Sequence, residues 1–160
     1  MNSSRKQQVL FVCMGNICRS PAGEGVLQEL VNQHQLTDQI VIDSAGTTGY
    51  HVGDPADARM RKAASNRQIS LTSRARQVEK KDLQNFDMVI AMDQDNLNYL
   101  KKLDSNPKAT VCLFSEFLDD NWPSDVPDPY YGGDEGFEFV LDMLQAGCPT
   151  IINALLAAPE

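Results

Sequence analysis

Cys13-Met14-Gly15-Asn16-Ile17-Cys18-Arg19, followed at once by Ser20-Pro21, brings together residue types that can hold an oxyanion and attack it. The thiolate is the nucleophilic form of cysteine, yet a free thiol titrating near 8.5 is only about 3% ionised at pH 7. Thiolate chemistry at phosphorus therefore needs a local positive field, and each residue of the C-x5-R-S segment has a part in making one. Gly15 and Asn16 are the residues best able to adopt positive φ, so the chain can curl until successive N–H groups point at one centre. Ser20 can cap a following helix whose first turn accommodates Pro21, which aims the positive helix end at the same place. Arg19 adds a planar fork suited to two phosphate oxygens, and the Ser20 hydroxyl can donate to the sulfur. Taken alone, Cys13 reads as a buried cysteine at a strand end; the arginine beyond the curled loop argues for a nucleophile.

Such a loop needs a rigid mouth, and the apolar pattern provides one. QQVLFVC reads as a continuous apolar strand, and Ala22, Val26, Leu27, Leu30 and Val31 share one helical face over 21–34. IVIDSAG is a second strand, followed by the turn-rich TTGYHVGDP and a polar helix over 56–66. FDMVIAM is a third strand, after which Asp93 can cap a helix reaching about residue 103; residues 109–113 supply a fourth. Residues 119–134 carry Pro123, Pro127, Pro129, Gly132 and Gly133 and are expected to be mostly irregular. Over 135–145, Phe139, Val140 and Met143 form an apolar stripe that Gly147 and Pro149 are expected to interrupt before 151–157 resumes. Strands alternating with helices indicate an α/β, three-layer fold with a mostly parallel sheet, whose ligands bind beyond the carboxyl ends of the strands.

The chain has 160 residues, 42% of them apolar, which favours a single domain over 1–160. Fourteen basic against twenty-two acidic side chains give a net charge of −8, which argues against nucleic acid and acidic membrane surfaces as partners. An anion site is then a local exception built from a few aimed groups. Cys13, Cys18, Cys112 and Cys148 lack zinc-site spacing, and a domain of this size needs no disulfide staples. The apolar run from Val9 to Cys13 is too short for a signal sequence, and cytoplasmic residence is the default expectation.

VLFVCMGNICRSP closely resembles the phosphate-binding loop of the low-molecular-weight protein tyrosine phosphatases, and the likeness continues through IDSAGT, YHVGDPAD, RARQ, AMDQDNL and DPYYGG. The resemblance implies a four-stranded parallel sheet flanked by helices, with the phosphate-binding loop after the first strand. It implies hydrolysis of protein phosphotyrosine and small aryl phosphomonoesters through a phosphocysteine on Cys13, with Arg19 as the clamp and no metal or cofactor. Met14, Gly15, Asn16, Ile17, Cys18 and Ser20 would form the loop, and Asn16 and Ser44 would belong to its supporting network. The aspartate of the DP dipeptide, Asp128, would be the general acid, although Asp120 and Asp125 are equally eligible by composition. Tyr50, Tyr130 and Tyr131, with Met14, would wall the pocket for a flat ring. Cys18 reads either as packing against the helix or as a redox partner, and the resemblance implies a reversible disulfide with Cys13. Ser73 departs from the histidine that many members carry there, so the network is expected to reach less far or to include water. His51 follows the rim tyrosine and reads as structural.

Two other functions fit part of the pattern. An arsenate reductase of related fold would share the cysteine, loop and arginine, but its thioredoxin-coupled members need relay thiols, and residues 76–85 contain no cysteine. A module that only senses phosphorylated partners would explain the anion loop and leave Cys13 and Asp128 unexplained.

Overall fold

A computed structural model describes residues 5–157. Four parallel strands, β1 (Gln7–Cys13), β2 (Ile40–Gly46), β3 (Met88–Ala91) and β4 (Thr110–Leu113), lie in the order β2-β1-β3-β4. Among the described residues, five α-helices accompany them: α1 (Arg19–Gln33), α2 (Ala58–Ser65), α3 (Lys80–Asn85), α4 (Gln94–Leu103) and α5 (Asp134–Ala157). Cys13 lies opposite Gly46 of β2, and Val12 lies opposite both Ala45 of β2 and Ala91 of β3. The chain leaves β1 for β2 on one side and later crosses to β3 on the other. The carboxyl end of β1 therefore sits where the winding direction reverses, the place where open α/β sheets gather ligands.

The two faces of the sheet follow from the period-two alternation along β1. Val9, Phe11 and Cys13 face a core shared with α1, α2 and α5, while Leu10 and Val12 face a second core shared with α3 and α4. A strand buried on both faces needs apolar residues at every position, and Val9 through Val12 have no exposed surface. Each large side chain buried this completely contributes about 1.5–3 kcal/mol.

Several elements depart from the pattern reading. α1 starts at Arg19, two residues before the proline: Ser20 lies inside the helix, Cys18 occupies the cap position without a side-chain cap bond, and Ser20 turns its hydroxyl to Cys13. α3 and the short 3-10 helix Phe114–Phe117 were not anticipated. At the start of α3, Asp82 Oδ2 reaches back to accept from Glu79 N (2.7 Å), which satisfies a donor at the helix entrance.

The expected break near Pro149 is absent, and α5 runs unbroken from Asp134 to Ala157. Pro149 removes one helical donor, but Cys148, Ile151, Ile152 and Leu155 are buried around it, and that packing holds the helix together. Gly147 serves close approach: a Cβ there would stand 2.5 Å from the Phe114 ring. Phe139 also leaves the expected stripe. Phe137, Val140, Leu141 and Leu144 form the buried face, while Phe139 is partly exposed against Trp122, with ring centroids 5.9 Å apart. By length and composition α5 could cross a membrane, but half of its most apolar window is buried inside the protein, where it packs on α1.

Candidate active site

β1 delivers Cys13 to the mouth of the sheet, and residues 14–18 curl from it into α1. Asn16 has φ of 58°, the only positive value in this loop; Gly15 was expected to share that conformation and does not. Gly15 is small for another reason, since a Cβ there would stand 3.1 Å from the His51 ring. The loop is tied down from outside: Thr47 N donates to Cys13 O (2.8 Å), Thr48 N to Met14 O (3.0 Å) and Asp57 N to Ile17 O (2.8 Å). Gly46 permits the close approach, because a Cβ there would lie 2.7 Å from Met14 O.

Ser20 Oγ lies 3.0 Å from Cys13 Sγ, and Ser20 N lies 3.4 Å from the same sulfur. Both can donate to a thiolate, and the N-terminus of α1 adds its partial positive charge. Cys18 is also buried and lines the same cavity. Burial, followed by the negative charge of Asp57 and a Cys13 thiolate, pushes its thiol far above the ordinary range, so it stays protonated.

Arg19 is 3% exposed and held from three directions. Nη1 pairs with Asp93 Oδ2 (2.5 Å) and donates to Val126 O (3.0 Å), and Nη2 lies 3.6 Å from Asp128 Oδ2. Burial works against its charge, but Cys13, Asp93 and Asp128 outweigh it and raise its affinity for the proton. The guanidinium plane is thereby fixed beside the sulfur. Asp128 comes from the proline-rich loop, which is moored by Val126 N donating to Met92 O (2.9 Å). Its Oδ1 accepts from Tyr130 N (3.1 Å).

A polar network supports the loop from behind. Asn16 Nδ2 donates to Ser20 Oγ (2.8 Å) and Ser44 Oγ (3.0 Å), and Asn16 Oδ1 accepts from Arg76 N (3.0 Å). Ser44 Oγ donates to Glu24 Oε1 (2.6 Å). Arg76 is in turn held by Asp43 and by a two-pronged pair with Asp82. Ser73 lies beside Glu24, where its hydroxyl favours the charged carboxylate.

Cys13, Met14, Gly15, Ile17, Cys18, Arg19, Tyr50, His51, Asp128, Tyr130 and Tyr131 line one cavity of about 230 Å³. Asn16, Ser20 and Ser44 lie behind its wall rather than in it. Of the eligible carboxylates, Asp128 alone reaches the cavity; Asp125 accepts from Gln94 N (3.1 Å), and Asp120 does not line the space. The rim is aromatic and open, with Tyr50 84% and Tyr131 91% exposed. Tyr130 meets Tyr131 edge-on at 5.0 Å and is backed by Arg59, whose guanidinium lies 5.3 Å from its ring centre and 4.7 Å from that of Phe137. A phosphate above Cys13 would find loop amides and a guanidinium beneath it, aromatic walls around its ester group and a carboxyl group across from the sulfur.

The model for the family "Low molecular weight phosphotyrosine protein phosphatase" matches residues 8–158. The chain belongs to that family. It is 37% identical over 156 residues to the human low molecular weight phosphotyrosine protein phosphatase, spanning 96% of this chain and 98% of that one. Among solved structures it resembles a protein tyrosine phosphatase from Entamoeba histolytica, with a TM-score of 0.90, 41% identity, and coverage of 94% of this chain and 97% of that one. YfkJ from Bacillus subtilis is similar too, with a TM-score of 0.89, 34% identity, and coverage of 97% and 98%. As a low molecular weight tyrosine phosphatase, the protein hydrolyses protein phosphotyrosine and small aryl phosphates by cysteine chemistry. Sequence reasoning missed some supports of this phosphatase site. Asp93 was read as a helix cap only, and Glu24 and Arg59 were not singled out. The placement of Asp93 directly after β3, on the same sheet edge as Cys13, was the available signal for its second contact.

Proposed function

We propose that Cys13 is the nucleophile of this phosphatase, Arg19 its phosphate clamp and Asp128 its general acid. The observation that carries this reading is convergence: residues 13, 19 and 128 line the same cavity, with Arg19 bridging from the thiol loop to the acid. Cys13 Sγ attacks phosphorus as the ester P–O bond breaks, and Asp128 gives its proton to the departing phenolate oxygen. The loop amides and Arg19 take up the charge on the equatorial oxygens. Water then attacks the phosphocysteine, Asp128 accepts its proton, and the thiolate leaves toward the Ser20 hydroxyl as inorganic phosphate forms. Replacing Cys13 by serine should abolish turnover while phosphate still binds. Replacing Arg19 by lysine should be severe because a point charge cannot reproduce the fork.

The aromatic rim supports aryl phosphates and protein phosphotyrosine as the substrate class, because a flat ring can stack between Tyr50 and Tyr130. The unpaired cysteines support a reducing, cytoplasmic setting. Cys18 supports a protective role. Peroxide converts the Cys13 thiolate to a sulfenic acid, and attack by the Cys18 thiol expels water and forms a reducible disulfide. Mass mapping of the reversibly inactivated enzyme should find a Cys13–Cys18 linkage; its absence would reject that role.

A further inference from the structure

Counting donors and acceptors along the network behind the loop assigns its protons. Asn16 Oδ1 is committed to Arg76 N, so the amide nitrogen is the end that faces the two serines. Both hydrogens of Nδ2 are then used, one on Ser44 Oγ and one on Ser20 Oγ. Each serine is therefore an acceptor toward Asn16 and keeps its own proton for another partner. The proton of Ser44 goes to Glu24 Oε1 at 2.6 Å. The proton of Ser20 is left for Cys13 Sγ at 3.0 Å, in preference to Ala45 O at 3.4 Å.

We infer that the ionised Glu24 is a positioning residue that orders this hydrogen-bond chain and so holds the Ser20 proton on the Cys13 sulfur. The inference rests on the reading of Cys13 as the nucleophile. A carboxylate has acceptors only, so Ser44 cannot turn its hydroxyl back toward Asn16 without depriving Glu24 Oε1 of its donor at 2.6 Å. An amide at position 24 imposes no such polarity, because its nitrogen end would donate to Ser44 and free the serine proton to oppose Asn16. Ser44 from β2 and Ser73 from the segment after α2 face Glu24, with Asp43 from β2 and Arg76 as the nearby charges. With serine at position 73 the carboxylate has no histidine cation beside it, and Ser44 is the partner through which it acts on the loop.

The sign of one measurement separates this from a plain charge effect. Deleting a negative charge near the loop would by itself favour the thiolate and move alkylation of Cys13 by iodoacetate to lower pH. Losing proton order does the opposite. In the full-length E24Q variant the alkylation profile should move to higher pH by roughly 0.5 to 1, the effect of weakening one hydrogen bond to a charged sulfur. Hydrolysis of the phosphocysteine should slow by about 3- to 10-fold, since the departing thiolate loses the same support. S44A, which changes no charge, should shift the profile in the same direction, and E24Q added to S44A should do nothing further upward. An unchanged or lowered profile in E24Q, or a full upward shift from E24Q in the S44A background, overturns the inference. If E24Q does not fold, judged by circular dichroism and protection by phosphate, S44A decides alone, and an unshifted profile overturns it. Failure of the nucleophile reading would look different: iodoacetate would then leave wild-type activity intact, or label a residue other than Cys13.

Discussion

Asp93 Oδ2 lies 2.5 Å from Arg19 Nη1, while Asp93 Oδ1 accepts from Asn96 N at 2.8 Å, so one carboxylate both orients the clamp and caps α4. Asparagine can still cap a helix but cannot pair as an anion with Arg19. D93N should therefore lower kcat/KM for an aryl phosphate by about 10- to 100-fold through misplacement of the guanidinium. D93A should add a stability loss of about 1 kcal/mol from the missing cap. Kinetics and thermal melts of the two variants check the division, and D93N with wild-type kinetics would refute the positioning role.

Asp128 should reveal itself through the leaving group. In D128N, phosphocysteine formation from phosphates with poor phenol leaving groups should slow by about 10²- to 10⁴-fold, and from nitrophenyl-type phosphates much less. Pre-steady-state rates are needed, because steady-state turnover also contains hydrolysis of the phosphoenzyme. Equal slowing for good and poor leaving groups would contradict proton donation by Asp128.

The part of this site that was legible in the sequence is local. Cys13, Arg19, Asn16 and Ser20 sit within one strand–loop–helix segment, where spacing alone fixes what can curl around an anion. The long-range part was not legible without resemblance: Asp120, Asp125 and Asp128 are residues of one type in one loop, and the mooring of Val126 on Met92 and Arg19 brings the last of them to the pocket. The β1 and β2 limits follow directly from apolar runs. α5 was misread because a helix-breaking pair was weighed by propensity, whereas the burial of Ile151, Ile152 and Leu155 decides the outcome.

The same pair gives opposite stability effects. Gly147 faces the Phe114 ring, so G147A should destabilise by about 1–3 kcal/mol through overpacking. Pro149 is exposed and interrupts the helical hydrogen bonds, so P149A should stabilise by about 1–2 kcal/mol, the helix gain less the restriction proline places on the unfolded chain. Urea unfolding of both variants tests the contrast, and two changes of the same sign would contradict it.

Glu24 should leave a signature in the pH dependence of stability. Burial pushes its carboxyl up, the Ser44 hydrogen bond pulls it down, and Asp43 pushes it up again, with a net rise. Between the ordinary carboxylate value and this raised one, the folded protein binds more protons than the unfolded chain. Its contribution is greatest below the unfolded value and is lost as pH rises through the folded one. E24Q should flatten that segment of a stability–pH curve measured by denaturant unfolding. A slope identical to the wild type would show that Glu24 does not titrate in this way.

The most direct test of the proposed chemistry is to quench the enzyme during turnover of a nitrophenyl phosphate and map the phosphorylated residue by mass spectrometry under conditions that preserve thiophosphates. The phosphoryl group should be found on Cys13, should accumulate more in D128N, where water attack is slowed, and should be missing in C13S. A phosphoryl group on another residue, or turnover by C13S at the wild-type rate, would contradict nucleophilic catalysis by Cys13.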